Sequence, residues 1–342
     1  MRLASKWIYS RLLIIVICSI GVFRPPMLFA FAPQVIGGPM LGFIPDAGGK
    51  AIRPVIGIPG ASMLGQRLEL DDEIRGATIS PKQDYAIGLS MADAQTVVID
   101  VAAQPPVETP VTGAHPGAEL IAISPTGSVA ALYDAVSRAI QVIGGLPRNP
   151  AVVAEFDASA VPGRLADLAI SDDGTVAIVK AVDSDDAGLW VVASSNGPWR
   201  VPLDRAAAAA FFPKRRDAVV TDDATRSAFL MLNIDQAGTL VHFFSAPDGI
   251  EVFSSVSVAE DSGRLFLADA HSGVIATVNT ETRMAVMTSC GCQPTGLHRL
   301  SGNSIFRLTE SSSEPLVILD ASSDEPLIGI IPPSTPAMAQ PE

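Results

Sequence analysis

The strongest constraint on the fold of this chain is an internal repeat, whose anchor positions recur every 41 to 47 residues. Each copy begins with a short apolar segment, a polar turn and a second apolar segment. The anchors of the six copies are Ser80, Ser124, Ser171, Phe212, Ala259 and Leu300. A period of this size, with several strands in each copy, predicts a β-propeller in which each copy forms one blade.

A third apolar segment follows in every copy, and a more variable fourth one closes it, as in "TLVHFFS" from Thr239. The N-terminal segments "PMLGFIPDAGG" and "AIRPVIGIPG" match only the third and fourth strands of a copy. We therefore predict an all-β propeller over residues 33–331. It has seven blades of four-stranded antiparallel sheets, one of them an irregular closing blade. Six blades plus an N-terminal hairpin is the alternative.

The run "RAAAAAFFP" from Arg205 favours a helix by intrinsic propensity. Its place in the repeat is that of a first strand, where small side chains suit the crowded axis of a propeller. We predict a strand here, because the repeat outweighs local propensity.

The recurring turns "ISPTGS" and "ISDDGT" resemble those of the secreted YVTN/TolB-like (WD40-like) β-propellers. The resemblance covers nearly the whole chain after the N-terminal segment and identifies no subfamily. Two copies depart from the motif, with "FFPKRR" and "LSGNS" at this position. Such families include lactonases, dehydrogenase subunits and protein-binding modules, so the resemblance implies the architecture and leaves the function open.

The N-terminus has the layout of a secretory signal, which we place at residues 1–30. Basic residues precede an apolar run of 12 residues, Leu12–Phe23, and Ala30-Phe31-Ala32 supplies an A-x-A pattern. We expect a secreted or periplasmic protein with no stable membrane span after cleavage. An N-terminal membrane anchor with the propeller facing outside is the alternative. At the other end, residues 332–342 are Pro-rich and are predicted to be a disordered tail.

Removal of the signal leaves 19 basic and 36 acidic residues, a formal charge of −17. Such a surface repels phosphate backbones, which argues against nucleic acid as a partner. A protein or small-molecule ligand, with cationic groups favoured, matches this charge better. We expect the propeller to act as a monomer.

Carboxylates recur in the turns between the second and third strands, which share one face of a propeller with the links between blades. The candidate ligand-binding residues there are Asp93, Asp134, Asp183, Asp185, Asp186, Asp222, Asp223, Asp269, His271 and Glu310. The structural explanation is that Asp favours turns because it bonds its own backbone. The functional one is an acidic face that docks a cation or a basic partner. Asp183, Asp185 and Asp186 resemble half of a calcium loop, so calcium is the only candidate cofactor.

Catalytic sequence motifs are absent. The chain after residue 30 has no H-E-x-x-H, C-x-x-C-H, G-x-S-x-G, Walker loop or G-x-G-x-x-G. We therefore favour a binding or scaffold protein over an enzyme. The alternative is a lactonase-like hydrolase or an oxidoreductase whose residues are dispersed around the mouth of the channel, because such sites leave no contiguous motif.

Cys290 and Cys292 fall in the predicted link into the last full blade. In an oxidising compartment they are candidates for a disulfide bond with each other. A metal clip that includes His298, and free or intermolecular thiols, are the alternatives.

The basic run Lys214-Arg215-Arg216 lies in a turn between first and second strands, on the face opposite the carboxylates. It is either a solvated turn or a polar docking patch.

Overall fold

The architecture is all-β. The computed structural model describes residues 38–46, 51–194, 196–234, 238–310 and 315–333. These residues contain 27 strands and no α-helix, and hence no helix able to cross a membrane. The predicted signal peptide at residues 1–30 lies outside the described residues, as does the predicted tail apart from Pro332 and Pro333.

The strands form seven antiparallel sheets, numbered here as blades 1 to 7 in chain order. Blade 1 contains β1 (Met40–Pro45), β2 (Ile52–Ile58) and β3 (Ala61–Leu64). Blade 2 contains β4 (Ile74–Ile79), β5 (Tyr85–Ser90), β6 (Thr96–Asp100) and β7 (Val107–Pro110). Blade 3 contains β8 (Leu120–Ile123), β9 (Ala130–Asp134), β10 (Ala139–Gly144) and β11 (Ala151–Asp157). Blade 4 contains β12 (Arg164–Ile170), β13 (Val176–Val182), β14 (Gly188–Ala193) and β15 (Trp199–Arg200).

The remaining three blades repeat the same pattern. Blade 5 contains β16 (Ala206–Phe211), β17 (Ala218–Asp222), β18 (Ser227–Leu232) and β19 (Thr239–Ser245). Blade 6 contains β20 (Ser255–Val258), β21 (Arg264–Asp269), β22 (Val274–Asn279) and β23 (Ala285–Ser289). Blade 7 contains β24 (His298–Arg299), β25 (Ile305–Arg307), β26 (Leu316–Asp320) and β27 (Leu327–Ile331). The predicted seven-bladed propeller with one irregular blade is confirmed.

The irregular blade has more strands than the sequence comparison indicated. Two strands were expected in the N-terminal segment, and three are present. The last of them, β3, precedes the first strand of blade 2, so β1 takes the position of a second strand. The sequence match places "PMLGFIP" at a third strand, whereas in the structure this segment forms β1, in the position of a second strand. Within the described residues, blade 1 has no innermost strand.

The core lies between neighbouring blades, because the middle strands are buried on both faces. Tyr133 of β9 and Val179 of β13, for example, belong to one apolar cluster that joins blades 3 and 4. The alanine run forms strand β16, as predicted from the repeat, and Ala206, Ala207 and Ala208 are buried. Tertiary packing thus overrides helix propensity at this position.

One face of the propeller, the turn face, carries the turns between first and second strands, and polar contacts there tie adjacent blades together. The Tyr85 hydroxyl donates to the Gly127 carbonyl at 2.9 Å, which joins blades 2 and 3. Asp172 of blade 4 accepts from the backbone N–H of Thr126 at 2.8 Å and of Lys214 at 2.6 Å, from blades 3 and 5. Arg216 pairs with Asp173 at 2.5 Å. The predicted basic patch is therefore part of a contact between blades, and its docking role stays untested.

Gln83 connects the irregular blade to both of its neighbours. This buried side chain in the first turn of blade 2 accepts a hydrogen bond from the Phe43 N–H of β1 at 2.5 Å. Its amide nitrogen donates to the Arg299 carbonyl of β24 at 2.8 Å. Gly42 has φ 141°, and a Cβ there would lie 2.5 Å from the Gln83 Oε1 atom. One side chain thus bridges blades 1, 2 and 7, where the ring closes.

We expect Gln83→Met to lower the free energy of unfolding by about 1–3 kcal/mol, because it keeps the volume of the side chain and removes its hydrogen bonds to Phe43 and Arg299, together with a weaker one to the Ser80 carbonyl. Urea unfolding followed by tryptophan fluorescence measures the change. Gln95→Met, at an exposed glutamine in another turn of the same blade, is the control and should have little effect. Equal stability of the two variants would show that Gln83 does not help to close the ring.

Candidate functional site

The ten candidate residues all lie in or beside the turns between second and third strands. They share the face that also carries the links between blades, called here the link face. Three of them are the last residues of second strands: Asp134 of β9, Asp222 of β17 and Asp269 of β21. The others follow second strands: Asp93 after β5, Asp183, Asp185 and Asp186 after β13, Asp223 after β17, His271 after β21, and Glu310 after β25. The predicted placement on one face agrees with the structure, and their role in binding stays a prediction.

Several of these carboxylates fix the backbone of their own surroundings. Asp222 is buried and accepts from the Arg205 N–H at 2.8 Å, which holds the link into blade 5, and from the Thr225 hydroxyl at 2.7 Å. Asp223 accepts from the Phe253 N–H in the link into blade 6 at 2.8 Å. Turn and link geometry therefore accounts for these two residues without a ligand.

Asp269 has the same structural task in blade 6. Its side chain is fully buried, and its two oxygens accept from the N–H groups of Glu251 at 2.8 Å and His271 at 2.7 Å. Burial raises the pKa of this carboxyl, but four backbone N–H groups outweigh burial, so the pKa lies below its ordinary value. The ionised carboxylate is thus part of the folded structure.

Asp93 and Asp134 make smaller turn contacts. Asp93 is exposed and accepts from the Gln95 N–H at 3.0 Å. Asp134 accepts from the Ser137 hydroxyl at 2.6 Å, which is the main reason why the pKa of its carboxyl is lowered. The His115 ring lies 3.3 Å from Asp134, a neighbour that the sequence pattern did not indicate.

The predicted calcium loop is open to solvent. Asp183, Asp185 and Asp186 are all exposed, and Asp183 pairs with the Arg164 guanidinium at 3.2 Å. In the described part of the chain, no three His, Cys, Asp or Glu side chains form a group that could hold a metal ion. Calcium binding by this loop stays a prediction.

A central channel of about 610 Å³ opens along the axis of the propeller. The innermost strands line it, mostly with small residues such as Ala122, Ala169, Ala210 and Ser257. His298 occupies the matching position of blade 7. It lines the channel, and 49% of its side-chain surface is exposed.

A charged pair also lines the channel in blade 4. Asp167 of β12 lies opposite Lys180 in the register of β12 with β13, and both residues face the cavity. The Asp167 side chain is exposed to the cavity, but its enclosure by the channel walls raises the pKa of its carboxyl, and the Leu168 N–H and the Lys180 charge only partly oppose this. A cation in the channel would therefore stabilise the ionised form of this carboxyl.

On the blade 7 side, three ionisable side chains meet where the innermost strand of blade 1 is missing among the described residues. Arg307 is buried and pairs with Glu310 at 2.5 Å, and His298 lies 3.6 Å from Glu310. Although half of its side chain faces the open channel, the enclosure of His298 within the propeller and the Arg307 charge lower the pKa of its imidazole. A side cavity of about 410 Å³ opens here between Phe43 of β1, β4 and β24. The irregular blade thus adds an ionisable side pocket to the channel.

Sequence reasoning missed Asp167 and Lys180, which line the channel, and Arg307, which lines the side cavity. A detectable signal existed for Asp167, because it lies two residues before Ala169 and therefore on the same side of an alternating strand. At that position the other copies have Gly76, Leu120, Ala208, Ser255 and Gly296, none of which is charged. The same comparison singles out two residues of second strands. Lys180 aligns with Leu89, Tyr133, Thr221, Ala268 and Thr309, and Arg307 aligns with Ile87, Ala131, Ile178, Val219 and Phe266.

The two cysteines lie in the link from β23 to β24, as the repeat predicted. They are joined to each other by a disulfide bond. Since both sulfur atoms are used, neither is available as a thiolate ligand in this state, and His298 lines the channel.

Comparison with known proteins identifies the fold and no family. Neither protein-family models nor curated protein sequences match the chain. A functionally unknown protein from Desulfotomaculum acetoxidans DSM 771 has a similar structure, with a TM-score of 0.59 at 12% identity over 86% of this chain and 99% of its own. Kuenenia stuttgartiensis hydrazine synthase gives a TM-score of 0.51 at 10% identity over 85% of this chain and 95% of its own. These structural similarities support a seven-bladed propeller and do not indicate a function for this chain.

We expect Asp269→Asn to lower the free energy of unfolding at pH 7 by about 1.5–3 kcal/mol, because the ionised carboxylate accepts several backbone N–H groups. The folded pKa is depressed, so this stabilisation is complete above the pKa of the unfolded chain, roughly 3.9. It is lost as the pH falls through the lower folded pKa. Urea unfolding of wild type and variant between pH 7 and pH 3 should therefore show a difference that narrows in acid.

The matched control is Asp93→Asn, at the turn of blade 2, where one backbone N–H contacts an exposed carboxylate. Its effect should stay within about 0.5 kcal/mol at pH 7. A difference for Asp269→Asn that is constant with pH would contradict the role assigned to the ionised carboxylate.

Proposed function

We propose that this protein is a binding propeller that admits a small polar ligand with an amine group into the channel from the link face. The observation that carries the proposal is the position of Asp167. It is an acidic residue on a channel-lining strand, at a position that is uncharged in the other copies. An ammonium group beside it would stabilise the ionised carboxylate.

The surroundings support a cationic ligand. Exposed carboxylates on the link face, Asp93, Asp183, Asp185 and Asp186 among them, give the approach to the channel a negative potential that attracts cations. Arg307 and Lys180 supply positive groups within the channel and its side cavity, where they suit an anionic or hydroxyl group on the same ligand.

An exported protein of the YVTN/TolB-like kind is part of the proposal. The signal-like layout of residues 1–30 and the two repeated turn motifs support it. The disulfide between Cys290 and Cys292 suits an oxidising compartment. Expression with the native N-terminus, followed by fractionation and N-terminal sequencing, tests it; protein retained inside the cell with residues 1–30 intact would contradict export.

We expect spermidine, a polyamine used here as the probe, to bind the wild-type protein and Asp167→Asn to weaken that binding roughly tenfold, the equivalent of about 1.4 kcal/mol. Binding should also weaken as the pH falls through the raised pKa of Asp167, because the protonated acid no longer attracts a cation. Isothermal titration calorimetry at constant ionic strength measures both effects.

Asp324→Asn is the control, because Asp324 is fully exposed in the turn between β26 and β27, on the turn face. It should leave spermidine affinity unchanged. Equal affinities of wild type, Asp167→Asn and Asp324→Asn would reject the channel as the amine site.

A hydrolase is the second candidate function, and one observation favours it. The lowered pKa of His298 keeps its imidazole neutral near pH 7, and the ring lies 3.6 Å from Glu310 in a water-accessible channel. A neutral imidazole beside a carboxylate can serve as a general base towards water.

A screen of lactones and esters tests the hydrolase candidate. If it holds, activity is detected and His298→Ala lowers kcat/KM by about 100-fold or more, the usual contribution of a general base. Activity that survives His298→Ala unchanged, or no turnover of any lactone or ester, would reject it.

A further inference from the structure

The disulfide faces a cavity of its own on the link face. This cavity, of about 780 Å³, is lined by both cysteines, His271, Thr309 and Glu310. It is separate from the main volume of the channel, although Thr295 borders both. A small molecule can therefore approach the sulfur atoms in the folded protein.

The disulfide bond contributes little to the stability of the fold. Only Gly291 separates the two cysteines, and the stabilisation expected from restricting the unfolded chain is smallest for the shortest loops. The link is already held by other contacts, since the Cys290 N–H donates to the Gly273 carbonyl at 2.9 Å. The location of this disulfide in a cavity therefore calls for a chemical explanation.

The two sulfur atoms are not equivalent. Cys290 is 9% exposed and belongs to the apolar core between blades 6 and 7, whereas Cys292 is half-buried and packs at the edge of that core. Gly291 between them is exposed, and no atom lies within 4 Å of the place where its Cβ would be. The outer side of the loop is thus open, and Cys292 is the more accessible of the two cysteines.

Cys290 is suited to be the sulfur that leaves. The Cys292 N–H donates to the Cys290 Sγ atom at 3.1 Å, which stabilises a thiolate there. The Cys292 carbonyl oxygen lies 3.2 Å from the same sulfur and can accept the proton of the neutral thiol. Either form of a released Cys290 therefore has a partner close by.

We propose that Cys290–Cys292 is a thiol–disulfide exchange site for low-molecular-weight thiols. An incoming thiolate attacks the Cys292 sulfur, the bond between the cysteines breaks, and its electron pair leaves on Cys290 as a thiolate. A mixed disulfide now joins Cys292 to the small thiol. A second thiolate attacks the small-molecule sulfur of this mixed disulfide and releases Cys292. Two small thiols are oxidised to one disulfide, and the protein disulfide is reduced to a dithiol.

The experiment uses cysteamine and its disulfide cystamine, because the amine suits Glu310 in the same cavity. The full chain is equilibrated in cysteamine–cystamine buffers at pH 7, quenched with acid and alkylated. Peptide mass analysis then reports each cysteine, including Cys18, separately. We expect the Cys290–Cys292 bond to be reduced while circular dichroism shows an unchanged fold. Reduction only at denaturant concentrations that unfold the protein would overturn the proposal.

A matched pair of variants tests which sulfur is attacked. With cystamine, Cys290→Ser, which leaves Cys292 free, should form the mixed disulfide at least about tenfold faster than Cys292→Ser, which leaves the buried Cys290. In denaturant the two rates should converge. Equal rates in the folded variants, or a faster reaction at Cys290, would contradict the assigned direction of attack.

Discussion

Closure of the ring is the constraint on which the rest of this structure depends. A propeller buries its apolar sheets only if the last blade packs against the first, and here the first blade has three described strands in place of four. Leu41 and Ile44 of β1 pack against Leu316 and Ile318 of blade 7, which closes the apolar layer. Gln83 supplies the polar part of the same closure, because it bonds the backbone of β1 and of β24.

The same irregularity shapes the candidate site. A regular first blade would place a strand between β4 and β24, where the described residues leave a cavity that His298, Arg307 and Glu310 border. On the opposite side of the channel, the charged side chains among the described lining residues are Asp167 and Lys180. The channel is therefore asymmetric in its chemistry although it is built from repeats, and this asymmetry distinguishes it from a packed axis of alanines.

The fold could be predicted from the sequence because each copy of the repeat has the same order of apolar strands and polar turns. The period outweighed the helix propensity of the run that forms β16, and it placed Cys290 and Cys292 in a link. The three strands of blade 1 could not be assigned correctly, since that copy is incomplete and its strands have no anchor turn. The carboxylates of the link face were located correctly, but Asp222 and Asp269 hold backbone N–H groups, a task that a turn motif cannot distinguish from ligand binding. The juxtaposition of Asp167 and Lys180 depends on the register of the neighbouring strands β12 and β13.

The central claim is that an amine enters the channel, and the chain offers a direct probe because it has only four histidines. His298 lines the channel, whereas His115 and His271 lie on the link face outside it. Titration of the protein with spermidine, followed by the NMR signals of the imidazole rings, separates these locations. The account predicts a saturable shift of the His298 signals that Asp167→Asn weakens. Shifts confined to His115 or His271, or no saturable shift of any ring, would contradict it.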